Sequence, residues 1–341
     1  MQSKVEKPNG KGLAPPGVPP AIVKRDVPLA RLATIRTGGS AQWFARAGND
    51  EELRELLAWA RATSTPTAVV GSGSNLLIAD EGVKGLVIKL DGELAKIERD
   101  GPTRILCGGG ARLPAVAARA AQAGLSGIEF GVNIPGTVGG AVKMNANAYG
   151  GELARVLEWV EVVAGGEGGA GHVGLQRRAP ADLGFGYRSS NIGPEEIVAR
   201  ALLSLEPAPV EQVKATLAAM RARRHEAQPQ GIKTFGSTFK NPDLRDGPQD
   251  GHEDGPPGSP AKGRTAGQLL SDAGCNGLAV GGARFAPKHA NFIENTGNAT
   301  TADVVAVMAE GRRRVLERTG IALEPEVQTL GPVRFPWVDW P

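Results

Sequence analysis

The chain has 341 residues, too many for one small hydrophobic core, so we expect two or three domains. Hydrophobic residues make up 41% and charged residues 22%, a globular composition that excludes a disordered or fibrous protein. The net charge of +3 gives no support for nucleic-acid binding, which needs a concentrated basic face. No apolar run reaches the length of a membrane span. Residues 1–26 lack the apolar core of a signal peptide and are predicted to be a flexible tail.

Cysteine and histidine usage argues against metal or disulfide chemistry. Cys107 and Cys275 form no CxxC pair, and the histidines show no HExxH-like spacing. We therefore expect two free thiols in a reducing cytoplasm and no metal site.

Helical and extended patterns alternate along the chain. Residues 50–62 are predicted to form a helix with an acidic first turn, followed by strands at 67–70 and 86–90. A second block begins near residue 93, with a strand at 105–107 and a helix at 113–123. Apolar positions from 210 to 220 trace another helix. A last helix begins with an approximate capping box, Thr300 and Asp303, and stops at Gly320. Residues 243–260 are rich in proline and glycine, which predicts a mobile surface loop.

Two glycine-rich segments are candidate binding loops. The first, Gly71-Ser72-Gly73-Ser74-Asn75, follows a predicted strand and could form an anion nest, or a tight turn that binds nothing. It is neither a GxGxxG nor a Walker A motif, because Leu76 follows and no Gly-Lys-Ser/Thr does. The second, residues 131–141, is so rich in glycine that we expect irregular backbone, and neither helix nor central strand, suited to contact with a flat cofactor.

Eight ordered segments together resemble one family. They are residues 34–39, 71–75, 134–141, 187–188, 236–242, 266–269, 288–293 and 323–327. The chain resembles the UDP-N-acetylenolpyruvoylglucosamine reductases, flavoenzymes that complete UDP-N-acetylmuramate for peptidoglycan. The short spacing between Arg188 and Ser237 resembles the subgroup that lacks a tyrosine-bearing substrate loop.

The resemblance implies an α+β fold, with a two-part FAD-binding module of the vanillyl-alcohol-oxidase (PCMH) type and a C-terminal α/β substrate-binding domain. The implied boundaries are 27–92 for the first FAD subdomain, joined by residues 327–341, then 93–207 for the second and 208–326 for the substrate-binding domain. The implied FAD contacts are Gly71, Ser72, Gly73, Ser74, Asn75, Ile134, Pro135, Gly136, Thr137, Gly140 and Asn145.

The resemblance also implies two half-reactions, in which NADPH reduces FAD and FAD passes the hydride to C3 of the enolpyruvyl group. Arg188 would hold the substrate carboxylate as a planar fork. Ser237 would donate the proton to C2, and Glu326 would polarise the enolate or relay protons. On an extended strand Glu324 would face the same side as Glu326, so that only the motif favours Glu326.

The substrate contacts implied are Tyr187, Lys240, Asn241, His289 and Asn291. For Lys288, His289 and Asn291, structural hydrogen bonding is an open alternative. Many family members carry a basic or hydroxyl residue where Ala227 precedes Gln228-Pro229, and this contact is missing here.

We expect a cytoplasmic monomer that acts on a UDP-sugar with NADPH and contacts neither nucleic acid nor membrane. Two alternatives stay open: an FAD-linked oxidase of the same cofactor fold acting on another sugar or alcohol, and a nucleotide-binding protein without catalysis. Intact Arg188, Ser237 and Glu326 argue against the second.

Overall fold

A computed structural model describes residues 17–165, 173–242 and 263–338. The helices are α1 (Asp50–Ala62), α2 (Leu113–Gln122), α3 (Val138–Lys143), α4 (Leu153–Val156), α5 (Val210–Ala227), α6 (Ala266–Asp272) and α7 (Thr301–Thr319). The strands are β1 (Lys24–Pro28), β2 (Ser40–Ala47), β3 (Thr67–Val69), β4 (Leu76–Ile78), β5 (Val83–Leu90), β6 (Ile97–Asp100), β7 (Arg104–Gly108), β8 (Leu125–Ser126), β9 (Asn147–Ala148), β10 (Gly151–Glu152), β11 (Leu157–Gly165), β12 (Val173–Arg178), β13 (Ile197–Ser204), β14 (Glu206–Pro207), β15 (Ala279–Val280), β16 (Ala283–Phe285), β17 (Ile293–Asn295) and β18 (Gln328–Leu330). The start of the predicted tail and the predicted loop at 243–260 lie outside the described residues.

The helices with clear local signals form where the sequence predicts them. In α1, the Asn49 side chain accepts a hydrogen bond from the Glu52 N–H, and the leucine face is buried. In α7, Thr300 and Asp303 form the capping box, and Gly320 ends the helix in a left-handed conformation with φ +72°. These predictions are confirmed because capping and periodicity act within a few residues along the chain.

The first sheet has the strand order β1-β2-β5-β3. Strands β2, β5 and β3 pair in parallel, and β1 pairs with β2 antiparallel. The predicted tail extends too far along the chain, because β1 begins at Lys24 and the preceding Ile22 and Val23 pack against an apolar cluster. The residues of β1 are mostly exposed and show no apolar pattern that would predict a strand. Backbone pairing with β2 at the edge of the sheet therefore holds this strand in place.

The second sheet has the order β12-β11-β13-β7-β6 and is antiparallel throughout. Helices α2 and α5 pack against one another and share with this sheet a core that includes Val116, Phe130 and Leu217. A separate apolar cluster joins α1 to strands of both sheets and includes Leu56 and Ile197. The two sheets thus pack together through this shared apolar cluster.

The C-terminal segment shares a core with the first sheet. Leu29, Val87, Phe239, Phe285 and Val333 belong to one buried cluster. Strand β18 pairs in parallel with β4, which follows the first glycine-rich loop directly. This pairing brings the residues just before β18 to the edge of that loop. No helix within the described ranges is long and apolar enough to cross a membrane.

Candidate active site

The two glycine-rich loops touch each other. The Ser72 hydroxyl donates to the Pro135 carbonyl at 2.6 Å, and the Ser72 and Ser74 hydroxyl oxygens lie 3.1 Å apart. Gly73 has φ +64°, and a Cβ there would lie 2.0 Å from the Leu32 carbonyl oxygen, so no other residue fits. The first loop is therefore held between residues 32–34 and the second loop.

The second loop corrects the sequence prediction of irregular backbone throughout. Helix α3 begins after Thr137, whose hydroxyl accepts from the Gly140 N–H at 3.4 Å. Two helical glycines cost about 1 kcal/mol each relative to alanine. That cost is offset by packing: the Gly139 N–H donates to the Gly109 carbonyl at 2.8 Å, and a Cβ at Gly139 would lie 3.2 Å from the same oxygen. A tertiary contact thus permits a helix where local composition argues against one.

The loops line a cavity of about 110 Å³. Its walls include Gly71, Gly109, Gly110, Thr137, Gly139, Gly140, Lys89 and Lys143. Some of these glycines are required by the fold itself, since a Cβ at Gly71 would lie 2.6 Å from the Thr137 hydroxyl. At Gly136 and Gly140, however, an added Cβ meets nothing nearer than 3.8 Å and 3.6 Å. Neither φ is left-handed, so neither backbone geometry nor packing among the described residues requires glycine at these two positions, which leaves space beside them.

Arg188 occupies a strained turn beside these loops. Its φ is +55°, which is unusual for a residue other than glycine, and Gly186 bridges Ser189 across the turn. Its Nε donates to the Glu326 carboxylate at 2.9 Å, and its Nη1 donates to the Asn147 side-chain oxygen at 2.5 Å. Among the described residues, Nη2 has no hydrogen-bond partner, which leaves donors for a ligand.

The Asn145 side chain stabilises the turn that contains Arg188. It is fully buried with φ +39°, and its amide donates to the Gly186 carbonyl at 3.2 Å and the Glu152 carboxylate at 2.5 Å. Its side-chain oxygen accepts from the Ala154 N–H at 3.2 Å. The structure thus uses this side chain within the protein, and its contact with a cofactor stays a prediction.

Glu326 is held between residues 236–242, called here the Ser237 segment, and the first glycine-rich loop. Its N–H donates to the Thr238 carbonyl at 2.9 Å, and its carbonyl accepts from the Asn75 side chain at 3.2 Å. Burial raises the pKa of the Glu326 carboxyl, whereas the nearby Arg188 guanidinium and the Lys240 ammonium oppose that rise. The site thus contains a carboxyl that burial biases toward holding a proton, in contact with a fixed cation.

The structure separates two carboxylates that the sequence left equivalent. The Glu326 side chain is 14% exposed and pairs with Arg188, whereas Glu324 is 48% exposed and lies 3.8 Å from the Lys240 ammonium. Residues 321–327 do not form a continuous strand, so the expectation that both carboxylates face the same side does not apply. Only Glu326 joins the enclosed cluster.

Ser237 lies on an extended segment placed between two others. Ser237 bridges Phe292, and Phe239 bridges Pro325. The segment follows Gly236, whose φ of +87° provides the entry turn. Asn291 fixes it: the Asn291 side chain accepts from the Phe239 N–H and donates to the Phe239 carbonyl, both at 2.9 Å. Three distant parts of the sequence thereby set the position of the serine.

Two further predicted substrate contacts, Tyr187 and Asn241, meet at the end of this segment. The Tyr187 ring stacks on the Arg188 guanidinium at 5.1 Å, and its hydroxyl bonds the Asn241 backbone. Burial raises the Tyr187 pKa, the Arg188 charge and the Asn241 backbone bond lower it, and Glu326 raises it. The Asn241 side-chain oxygen accepts from the Ala266 N–H at 2.9 Å, at the start of α6.

His289 is turned toward the protein interior. Its Nδ1 accepts from the Asn291 N–H at 3.2 Å, and its ring packs edge-on against Phe292 at 4.9 Å. Burial lowers the His289 pKa, which favours the neutral ring. Both His289 and Asn291 have structural bonds, as the open alternative anticipated, and their substrate contacts stay predictions.

Sequence reasoning missed Asn147. It belongs to the stretch after the second loop, but nothing in its local pattern indicates that it accepts a hydrogen bond from Arg188. Within the described ranges, no three histidine, cysteine or acidic residues cluster to hold a metal. Cys107 and Cys275 are both buried free thiols, and burial raises the Cys107 pKa to about 12.

Comparisons with known proteins agree with this geometry. Residues 228–330 match the family model for the C-terminal domain of UDP-N-acetylenolpyruvoylglucosamine reductase, and residues 41–173 match an FAD binding domain. The chain is 39% identical to UDP-N-acetylenolpyruvoylglucosamine reductase 2 of Symbiobacterium thermophilum, over 93% of this chain and 94% of that protein. It is also 39% identical to the reductase of Acidiphilium cryptum, over 90% of each chain. A crystal structure of the Thermus caldophilus reductase is 38% identical with a TM-score of 0.72, covering 90% of this chain and 98% of that one. The α+β fold with an FAD-binding module is confirmed.

Proposed function

The chain belongs to the UDP-N-acetylenolpyruvoylglucosamine reductase family, and from this premise we propose how its residues reduce the enolpyruvyl sugar nucleotide to UDP-N-acetylmuramate. The observation that carries the proposal is the cluster of Arg188, Glu326 and the Ser237 segment, assembled from separate parts of the chain beside the glycine-rich loops. The match of residues 228–330 argues against the alternative of an oxidase with the same cofactor fold, since that range contains the serine and glutamate segments.

The cavity between the two glycine-rich loops has room for part of FAD, since its volume of about 110 Å³ is well below the roughly 300–1,000 Å³ of a pocket that encloses a whole ligand. Gly136 and Gly140 leave space that packing does not need, and the loops offer backbone N–H groups and the Ser72, Ser74 and Thr137 hydroxyls. When bound, FAD takes electrons from NADPH and supplies a hydride for C3 of the enolpyruvyl group.

Arg188 binds the substrate carboxylate through the donors that the protein leaves open. Hydride addition at C3 places negative charge on C2 and on that carboxylate, so a fixed guanidinium stabilises the product of addition more than the substrate. The bonds to Glu326 and Asn147 hold the guanidinium in place before substrate arrives.

Ser237 donates the proton to C2. A hydroxyl is a weak acid, but a carbanion of comparable basicity accepts its proton when both are held in position. The Ser237 segment has that rigidity because its backbone is bonded to residues 291, 324 and 326. Glu326, biased by burial toward its protonated form, then relays a proton or polarises the enolate.

A two-step measurement tests this assignment. Purified enzyme with FAD is first reduced by NADPH without oxygen and then mixed with the enolpyruvyl sugar nucleotide. In Ser237→Ala we expect normal flavin reduction, and reoxidation by substrate slower by orders of magnitude. Ser126→Ala, which removes a hydroxyl bonded to Glu129 in another part of the fold, is the matched control. Equal slowing of both steps in Ser237→Ala would show a structural role for the serine instead.

We further propose that the protein acts as a cytoplasmic monomer, with subdomains at 27–92 and 93–207 and a substrate-binding domain at 208–326. The shared cluster around Phe239 and Phe285 supports a substrate-binding domain rigidly joined to the first subdomain. Tyr187 is a proposed substrate contact, and Lys240 and Asn241, at the end of the Ser237 segment, are the proposed contacts for the nucleotide part of the substrate. Light scattering in solution tests the monomer, and a dimer mass would reject it.

A further inference from the structure

Two lysines on the wall of the loop cavity have no part in the proposed chemistry. Lys89 lies on β5, and its ammonium donates to the Gly71 carbonyl of the first loop. Lys143 ends α3, and its ammonium donates to the Ile192 and Gly193 carbonyls at 3.2 Å and 3.4 Å. Both side chains line the same cavity as Gly71, Thr137 and Gly140.

Neither ammonium has a carboxylate within 4.0 Å among the described residues. Asp91 attracts Lys89 from a distance but is paired with Arg46 at 2.8 Å. Glu196 attracts Lys143, but its carboxylate is taken up by both the Arg178 guanidinium and the Gly193 N–H. Glu196 itself lines the cavity, but it is paired with Arg178, so neither ammonium is in direct contact with a carboxylate among the described residues.

Holding these ammonium groups in the cavity is unfavourable without an anion. Burial lowers the pKa of Lys89, Arg46 and Arg112 lower it further, and Asp91 partly opposes them. Burial also lowers the Lys143 pKa. A backbone carbonyl compensates only part of the lost hydration of an ammonium, whereas a bound anion supplies a charge-assisted bond.

Each ammonium also retains a donor. A lysine ammonium has three N–H groups. Lys89 uses one for Gly71, and Lys143 uses two for Ile192 and Gly193, which leaves two and one respectively among the bonds of the described residues. The two positive charges match the two negative charges of a diphosphate.

We propose that Lys89, with Lys143 as the second cation, binds the diphosphate of FAD at the junction of the two glycine-rich loops. The inference rests on the proposed function only in taking FAD as the cofactor. The diphosphate is the charged part of FAD, since the flavin and adenine rings are neutral, and Lys89 contacts the very loop that offers an anion nest. The Lys89 bond to the Gly71 carbonyl also fixes the orientation of that peptide at the start of the first loop.

The test is the affinity of the apoprotein for FAD, followed through flavin fluorescence. Lys89→Met and Lys89→Gln should both weaken FAD binding about 10- to 100-fold, the usual effect of losing a hydrogen bond with a charged partner. Lys143→Met should weaken it at least about 10-fold. Lys84→Met, on an exposed position of the same strand, is the matched control and should change affinity less than about 2-fold.

Two further measurements, the melting temperature and the salt dependence of FAD binding, distinguish the loss of a charge from the loss of folded structure. Removing a half-buried charge should leave the melting temperature of apo Lys89→Met unchanged or higher, while FAD affinity falls. Salt should weaken FAD binding more steeply in the parent protein than in either Lys89 variant. Parent-like FAD affinity in Lys89→Gln would refute the proposed contact between Lys89 and the diphosphate. The proposal is also refuted if Lys89→Met loses both apo stability and FAD affinity while the salt dependence of FAD binding stays unchanged. Failure of the parent protein to bind FAD would instead overturn the proposed function as well.

Discussion

Replacement of Arg188 by lysine is the most direct test of the fork assigned to this residue. The variant keeps a positive charge, and lysine enters the left-handed backbone at φ +55° no less readily than arginine. It cannot, however, reproduce the geometry. One ammonium cannot donate to both Glu326 and Asn147 and also hold a carboxylate through two parallel bonds.

The expected effect follows from the bonds lost. At least one charged hydrogen bond to the substrate disappears, at a cost of about 1.5–3 kcal/mol. Since each 1.4 kcal/mol is a factor of ten, kcat/KM for the enolpyruvyl substrate should fall roughly 10- to 150-fold. The loss should fall on the second half-reaction, because Arg188 is assigned to the substrate carboxylate and to the charge that develops after hydride addition.

Stopped-flow measurement of the two half-reactions under anaerobic conditions checks this. Flavin reduction by NADPH should proceed at the parent rate, and flavin reoxidation by substrate should slow by the stated factor. Arg313→Lys is a suitable control, because Arg313 pairs with Glu310 and Glu317 on the exposed face of α7. A parent-like reoxidation rate, or equal slowing of both half-reactions, would refute the role given to the guanidinium.

Three other predictions concern the frame around the site. Asn291→Ala leaves the buried N–H and carbonyl of Phe239 without their hydrogen bonds, so the free energy of unfolding measured in urea should fall by about 2–4 kcal/mol. A loss below about 0.5 kcal/mol would show that the Asn291 side chain does not stabilise this backbone. Gly140→Ala should keep or slightly raise apo stability, since the new Cβ meets only the Thr137 hydroxyl at 3.6 Å, yet weaken FAD binding; unchanged FAD affinity would show that no ligand approaches there. Burial holds the pKa of His289 below its ordinary value of 6.5. As pH drops below about 6.5, the imidazole of the unfolded chain is protonated before that of the folded chain, so the free energy of unfolding should fall. In His289→Asn this slope should be shallower, and an identical slope would assign the pH dependence to other groups.

Several elements of the fold could be predicted from residues that are close together in the sequence. Helices α1 and α7 formed with the predicted ends, because a cap, a first-turn charge and an apolar stripe act over one or two turns. The ordered motifs identified the family, because their order along the chain is itself sequence information. Local propensity failed at α3 and β1, where contact with Gly109 and pairing with β2 decide the conformation.

The sequence by itself determined the residue types available for chemistry: a serine in a glycine turn, an arginine after a tyrosine, and two glutamates two residues apart. Tertiary structure decided which of them meet. It separated Glu326 from Glu324 by burial, gave Arg188 a partner in Asn147, and used Asn145 and Asn291 to fix backbone that carries the site. It also brought Lys89 and Lys143 to one cavity without a carboxylate partner in the described chain. Hydrogen bonds and burial depend on distances between residues far apart in the chain, and no local pattern encodes those distances.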